Sequence, residues 1–226
     1  MIAHVYDKTK LLESAHASKM AYYPPHRNKK DRVVRICKSN LHVCARRSVD
    51  NKITIAFKGT TTADEIVSFL KLKPQEFHFR DAVVRIHTGI LNMFEGLEPD
   101  LRKYLYTFDA HDVTFTGHSQ GGALAMLASA YFGDLSNRNF RITCHTFGAP
   151  RVGDQKFHAW GEAYVKEVVN VVNRFDTVPQ LPLPLPGLGY ADNPNLLVLG
   201  KAVGLDMACV LRSHDMDTYI QNLNDL

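Results

Sequence analysis

The stretch VTFTGHSQGGALAML at residues 113–127 restricts the fold of this 226-residue chain more than any other segment. A β-branched run leads into G-x-S-x-G spacing at 117–121, and a run rich in alanine and leucine follows. This order is typical of a sharp turn from a strand into a helix, where the serine backbone is strained and glycines permit close approach. The alternative is a glycine-rich connection in which Ser119 only caps the helix.

Segments with strand character alternate with segments of helical spacing along the chain. Strands are predicted around 33–36, 41–45, 53–57, 113–116, 141–147, 167–172 and 196–199, a hairpin within 77–86, and helices at 8–23, 90–106, 123–132, 154–164 and 216–223. This alternation predicts an α/β fold with a mostly parallel central sheet and helices on both faces. The length and a hydrophobic content of 45% fit a single domain over residues 1–226.

Composition narrows the classes of function. The net charge is +4, and the basic side chains are scattered along the chain, which indicates a solvated surface. No nucleic-acid partner is predicted, and peripheral contact with an anionic lipid surface stays open. The four cysteines lack C-x-x-C spacing, so no metal site is predicted, and free thiols are favoured over two disulfides. The first residues show no leader, which predicts a cytoplasmic protein, or a secreted one whose leader has been removed. No feature of the sequence indicates whether the protein is a monomer or an oligomer.

A serine nucleophile needs a base, and the base needs a carboxylate that orients it. In hydrolases with this type of turn the chain order is serine, acid, histidine. His214 is the only histidine beyond residue 172, and it precedes the final predicted helix. His214 is therefore the predicted base.

Two aspartates compete for the role of the acid. Asp176 directly follows the valine-rich strand, where a loop carboxylate can reach the imidazole, although the same letters also fit an ordinary turn. Asp192 is the rival, and its surroundings are more typical of a turn.

An oxyanion formed during ester cleavage needs hydrogen-bond donors. One predicted donor is the backbone N–H of Gln120, directly after the serine, and the second is at Thr60, where the strand 53–57 runs through Gly59 into hydroxyl residues. The alternative for Thr60 is a plain turn at the end of a strand.

Together these segments resemble the fungal-type (class 3) lipase family of α/β-hydrolases over most of the chain. The motifs that carry the resemblance are AYY at 21–23, FKGT at 57–60, HTG at 87–89, GHSQGGALA at 117–125, FGAPRVG at 147–153, DTVP at 176–179 and HDMDTY at 214–219. The departures are glutamine where family elbows usually carry leucine, threonine at 177 where proline is commoner, and an interval of 214 − 176 = 38 residues between acid and base, which is short for secreted fungal members.

The resemblance implies a triad of Ser119, Asp176 and His214, an oxyanion hole of Thr60 and Gln120, and no cofactor. It implies that His87, Gly89, Pro150 and Arg151 are structural, and His118 is expected to pack beside the elbow. The implied substrate is an acylglycerol or related lipid ester at a lipid–water interface.

A lid is predicted within 61–73. Thr62 and Glu65 have capping-box spacing, and the apolar face of the helix would include Ile66, Phe69 and Leu70. An ordinary core-facing helix is the alternative, but the tether to Thr60 and the place of the lid in the family favour a lid.

The predicted function is a serine ester hydrolase of the acylglycerol lipase type. Phospholipase A1, a feruloyl or other soluble esterase, and an acyltransferase stay open as alternatives within the enzymes. A non-catalytic lipase-like module that binds a lipid or a protein partner is the alternative outside them, because the fold alone does not establish activity.

Overall fold

The computed structural model describes residues 6–23, 32–38, 41–48, 50–60, 73–108, 111–135, 140–185, 187–200 and 212–226. The helices within these ranges are α1 (Lys8–Met20), α2 (Thr88–Thr107), α3 (Gln120–Asp134), α4 (Gln155–Tyr164) and α5 (Met216–Asn224). The strands are β1 (Arg32–Lys38), β2 (Leu41–Arg47), β3 (Ile53–Phe57), β4 (Pro74–Phe79), β5 (Ala82–His87), β6 (Asp112–His118), β7 (Arg141–Phe147), β8 (Glu167–Asn173) and β9 (Leu196–Leu199). The predicted elements that fall within these ranges are present, and their ends differ by a few residues.

The strands of the described residues form one large sheet in the order β1-β2-β3-β6-β7-β8-β9. Pairing is antiparallel from β1 to β3 and parallel from β3 to β9. The predicted hairpin is a separate antiparallel pair of β4 and β5. The mostly parallel sheet is thus confirmed.

Helices cover both faces of this sheet. On one face, α2, α3 and α4 pack on strand residues that alternate inward, such as Ile53, Ile55 and Phe57 of β3. On the other face, α1 and α5 pack on Phe147, Val169 and neighbouring apolar side chains. The two apolar layers follow from the period of two in a strand, which places successive side chains on opposite faces.

The parallel pairing brings several loops to one edge of the sheet. The segments that follow β3, β6, β7 and β8 begin at Lys58, Ser119, Gly148 and Arg174, and all leave from the carboxyl ends of neighbouring strands. Ligand sites of open α/β sheets form at this edge.

Several sequence predictions concern residues beyond this description. The predicted lid, with Ile66, Phe69 and Leu70, lies outside the described residues except for Lys73. Cys44 and Cys144 are buried, and Cys144 is a free thiol. Over the described ranges, no helix has the length and apolar character to span a membrane, and no group of side chains is arranged to hold a metal ion.

Candidate active site

Ser119 lies at the turn between β6 and α3 in a strained conformation. Its φ of 57° and ψ of −131° fall in a region that non-glycine residues rarely adopt. Its side chain makes no capping hydrogen bond to the helix, so the capping alternative is wrong. This conformation is stabilised by a hydrogen bond in which the Ser119 N–H donates to the carbonyl of Phe147 at 2.9 Å.

Two glycines permit the close packing around this turn. A Cβ on Gly117 would overlap the backbone of Gly121, and a Cβ on Gly121 would overlap the carbonyl of Phe57 at the end of β3. The missing side chains therefore let the start of α3 lie directly against both strands. This contact brings the segment after β3 next to Ser119.

His214 is hydrogen-bonded to Asp176. Its Nδ1 lies 2.7 Å from Oδ2 of Asp176, and the Asp176 side chain is fully buried. An ionised carboxylate only accepts, so Nδ1 carries the proton and Nε2 of His214 presents a lone pair. That Nε2 is buried and has no hydrogen-bond partner among the described residues.

Tyr219 completes the surroundings of the carboxylate and was missed as a functional residue by the sequence analysis. Its hydroxyl donates to Oδ2 of Asp176 at 2.6 Å and accepts from the N–H of Asn173 at 3.1 Å. Burial, followed by the charge of Asp176, raises the pKa of Tyr219 well above its usual value. The N–H of Val178 donates to the other oxygen, Oδ1, at 2.9 Å. The only signal in the sequence was the tyrosine that ends the HDMDTY motif.

The other candidate carboxylates have partners of their own. Asp192 pairs with the guanidinium of Arg151, and its side chain is 75% exposed. Asp215 caps the start of α5, and Asp217 pairs with Lys19 on α1. The structure thus brings Asp176, and not Asp192, to His214.

Thr60 and Gln120 lie side by side at the edge of the site. The Thr60 hydroxyl donates to Oε1 of Gln120 at 2.9 Å. Gln120 is also the first residue of α3, where backbone N–H groups have no acceptor within the helix. We call this hydrogen bond the Thr60–Gln120 clasp.

His87, His118 and Arg151, which are expected from the sequence to be structural, each have structural contacts. Nδ1 of His87 accepts from the N–H of Gly89 at 3.1 Å and thereby caps α2. His118 is buried beside the elbow, and burial, reinforced by nearby His214, lowers its pKa to about 3. Arg151 binds Asp192 and the carbonyl of Pro182, the latter at 2.9 Å.

The fold and the strained serine turn define an α/β-hydrolase. The sequence profile of the family "Lipase (class 3)" matches residues 54–185, which is more than half of the chain. The chain belongs to this family, and membership supports lipid ester hydrolase activity.

Individual relatives differ in what their names state. Phospholipase A1-Igamma2, chloroplastic, of Arabidopsis thaliana is 31% identical over 161 residues, which are 58% of this chain and 30% of that protein. Protein EDS1 of the same plant is 46% identical over 78 residues, 31% of this chain and 12% of EDS1, and its name states no enzymatic activity. The chain thus spans less than a third of the length of either relative.

Solved structures share the fold. A lipase from Rhizopus microsporus var. chinensis superimposes with a TM-score of 0.72 at 19% identity, covering 87% of this chain and 76% of the lipase.

Proposed function

We propose that this protein hydrolyses lipid esters by a serine mechanism of the acylglycerol lipase type. The observation that carries the proposal is the 2.7 Å hydrogen bond between His214 and Asp176, which are 38 residues apart in the chain. Ser119 follows β6, the neighbour of β7, and stands in the strained turn that such nucleophiles require.

In the proposed reaction the Ser119 hydroxyl attacks the ester carbonyl, and Nε2 of His214 takes its proton. The imidazolium then protonates the leaving alcohol as the C–O bond breaks and the acyl group stays on Ser119. Water attacks the acyl-enzyme with the same histidine as base, which releases the acid and restores the serine. Asp176 holds the imidazole in the tautomer that leaves Nε2 free.

The oxyanion is proposed to accept hydrogen bonds from the backbone N–H groups of Thr60 and Gln120. The position of Gln120 at the start of α3 supports this role, because its N–H has no helical acceptor and the helix dipole favours negative charge there. The Thr60–Gln120 clasp occupies the Thr60 hydroxyl, so the side chain of Thr60 acts by holding the loop in place.

Removing the clasp is expected to slow hydrolysis moderately. Thr60→Val and Gln120→Leu each delete the same hydrogen bond, so each should lower kcat on a soluble ester by about three- to tenfold. The double variant should be no slower than the single variants, because a second change has nothing left to remove. Thr60→Ser keeps the hydroxyl and is the matched control. Additive losses would show that the two side chains act separately.

The proposed substrates are acylglycerols or phospholipids. Phospholipids are included because one relative is named as a phospholipase A1. The test is hydrolysis of p-nitrophenyl esters from short to long acyl chains, together with a diacylglycerol and a phosphatidylcholine, by wild-type protein and Ser119→Ala. Activity on long acyl chains or lipids that Ser119→Ala lacks supports the proposal. Activity confined to short or feruloyl esters favours a soluble esterase.

An apolar loop that follows the candidate acid in the chain supports action at a lipid–water interface. Leu183 and Leu185 are each 53% exposed, and their loop begins shortly after Asp176. The base of this loop is fixed by Arg151, whose guanidinium donates to the carbonyls of Gln180 and Pro182. This loop exposes two leucines to water. Moving them into a lipid surface lowers the free energy, so the loop favours binding to that surface.

Replacing both leucines by serine should therefore weaken action on aggregated lipid selectively. Leu183→Ser/Leu185→Ser is expected to lower the rate on lipid emulsions by about tenfold or more, with little change on a soluble short-chain ester. Leu196→Ser/Val198→Ser on β9 is the matched control, because those side chains are 49% and 52% exposed. Equal losses on both kinds of substrate would contradict a role at the interface.

A non-catalytic binding module is the second candidate, and the match to EDS1 favours it. Wild-type protein that hydrolyses none of these esters, and whose Ser119 does not react with a fluorophosphonate, would establish that candidate in place of the enzyme.

A further inference from the structure

Two polar side chains, the half-buried Tyr22 and the buried His118, take no part in the proposed reaction and yet touch its site. Tyr22 follows α1 directly, and its hydroxyl lies 2.8 Å from Nδ1 of His118. His118 ends β6 directly before Ser119, and its Nε2 lies 2.7 Å from the carbonyl oxygen of His214. Both residues are thus in contact with the elbow or with the base.

Chemistry assigns the direction of each hydrogen bond. A carbonyl oxygen only accepts, so Nε2 of His118 carries the proton and donates to His214. Burial keeps the His118 ring neutral, because it lowers the pKa to about 3. Nδ1 is then a bare acceptor, and the Tyr22 hydroxyl donates to it. The Tyr22 hydroxyl also lies directly against the backbone of Gly59, because a Cβ added there would come within 2.4 Å of it.

These contacts form one continuous chain, from the backbone of Gly59 against Tyr22, through the hydrogen bond of Tyr22 to His118, to the carbonyl of His214. Gly59 precedes Thr60, His118 precedes Ser119, and His214 is the base. The chain therefore connects the proposed oxyanion loop, the serine turn and the base loop, which come from three distant parts of the sequence. The Tyr22 hydroxyl proton and both ring nitrogens of His118 are thereby paired inside the protein.

We propose that Tyr22 and His118 are positioning residues that hold the oxyanion donor, Ser119 and His214 in their mutual arrangement. This inference rests on the proposed function. The two residues act through their neighbours: both ring nitrogens of His118 are occupied, so its imidazole has no free nitrogen to exchange a proton with substrate. A small displacement of any of the three loops lengthens the path from Ser119 to Nε2 of His214 or from the oxyanion to its donors, and kcat is sensitive to such displacements.

The test compares kinetics on a soluble p-nitrophenyl ester. Tyr22→Phe removes the donor to His118 and the hydroxyl that packs against Gly59, and kcat should fall by about ten- to a hundredfold with KM unchanged within about twofold. Tyr23→Phe is the matched control, since this neighbouring tyrosine is 54% exposed, and it should match wild type.

Two substitutions of His118 separate positioning from mere filling of space. His118→Gln places an amide N–H near the former Nε2 and should restore part of the rate that His118→Leu loses. Equal kcat for the glutamine and leucine variants, or wild-type kcat in Tyr22→Phe, would overturn the proposal.

A measurement that does not depend on activity keeps this inference separate from the proposed function. The ring ¹⁵N shifts of His118 report its tautomer, and the hydrogen-bond chain requires a neutral ring with the proton on Nε2 at pH 7, in wild type and in Ser119→Ala. A proton on Nδ1 would overturn the chain even in an active enzyme. Wild-type protein that neither hydrolyses esters nor reacts with a fluorophosphonate, yet has the Nε2 tautomer, would contradict the proposed function and leave the hydrogen-bond chain standing.

Discussion

Ser119→Ala and His214→Ala are each expected to lower kcat on a soluble ester by about a millionfold, and the double variant should be no slower than either. The members of such a triad act as a unit, because a hydroxyl without a base and a base without a hydroxyl are equally unable to form the acyl-enzyme. The residual rate over water should come from substrate binding and the oxyanion donors. Steady-state kinetics with p-nitrophenyl acetate or butyrate measures the loss.

The controls for this prediction are a serine and a histidine elsewhere in the same fold. Ser129 on α3 is 2% exposed, close to the 1% of Ser119, and its hydroxyl only bonds the helix backbone. Ser129→Ala and His16→Ala should keep wild-type kcat. Near wild-type activity in Ser119→Ala would contradict the serine mechanism.

Asp176→Asn is expected to lower kcat by about ten-thousandfold. Oδ2 of Asp176 receives two donors, Nδ1 of His214 and the Tyr219 hydroxyl, while Oδ1 receives the N–H of Val178. An asparagine has one oxygen for these three donors, so its amide N–H₂ must face some of them. An N–H₂ that faces Nδ1 forces the His214 proton onto Nε2, where it blocks the proton transfer from Ser119.

Asp192→Asn is the matched control for the acid. It removes the charge of an exposed carboxylate but keeps an oxygen that can accept from the buried Arg151 guanidinium, and it does not touch His214, so it should change kcat by less than about threefold. A mild effect of Asp176→Asn with a severe effect of Asp192→Asn would move the acid to the later loop.

Much of the fold was predictable because its signals are local. The alternation in β3, the turn at Arg80 between β4 and β5, and the apolar run of α3 each lie within a few residues of one another. Burial then follows from the pattern, since a strand with a period of two presents one apolar face. The ends were less accurate: α1 stops at Met20 and not at Tyr23, because the chain turns at 21–22 before the apolar residues run out.

The sequence by itself determined which serine and which histidine are the candidate nucleophile and the candidate base. The spacing of the elbow is local, and only one histidine remains after residue 172, so chain order left no rival for His214. The choice between Asp176 and Asp192 was different, because both are aspartates in turns, and nothing in their neighbours in sequence reports which one faces the imidazole.

Only the tertiary structure decided that choice, together with the contacts of Tyr219, Tyr22 and the Thr60–Gln120 clasp. The residues of these pairs are 38, 43, 96 and 60 positions apart, and they meet because parallel strands bring their carboxyl ends to one edge of the sheet. Hydrogen bonds of this kind depend on the angle at the donor and on a donor–acceptor distance defined to a few tenths of an ångström. The order of residues in the sequence does not encode this geometry. Chain order therefore predicts the type of reaction, and tertiary packing decides which side chains hold the candidate residues in position.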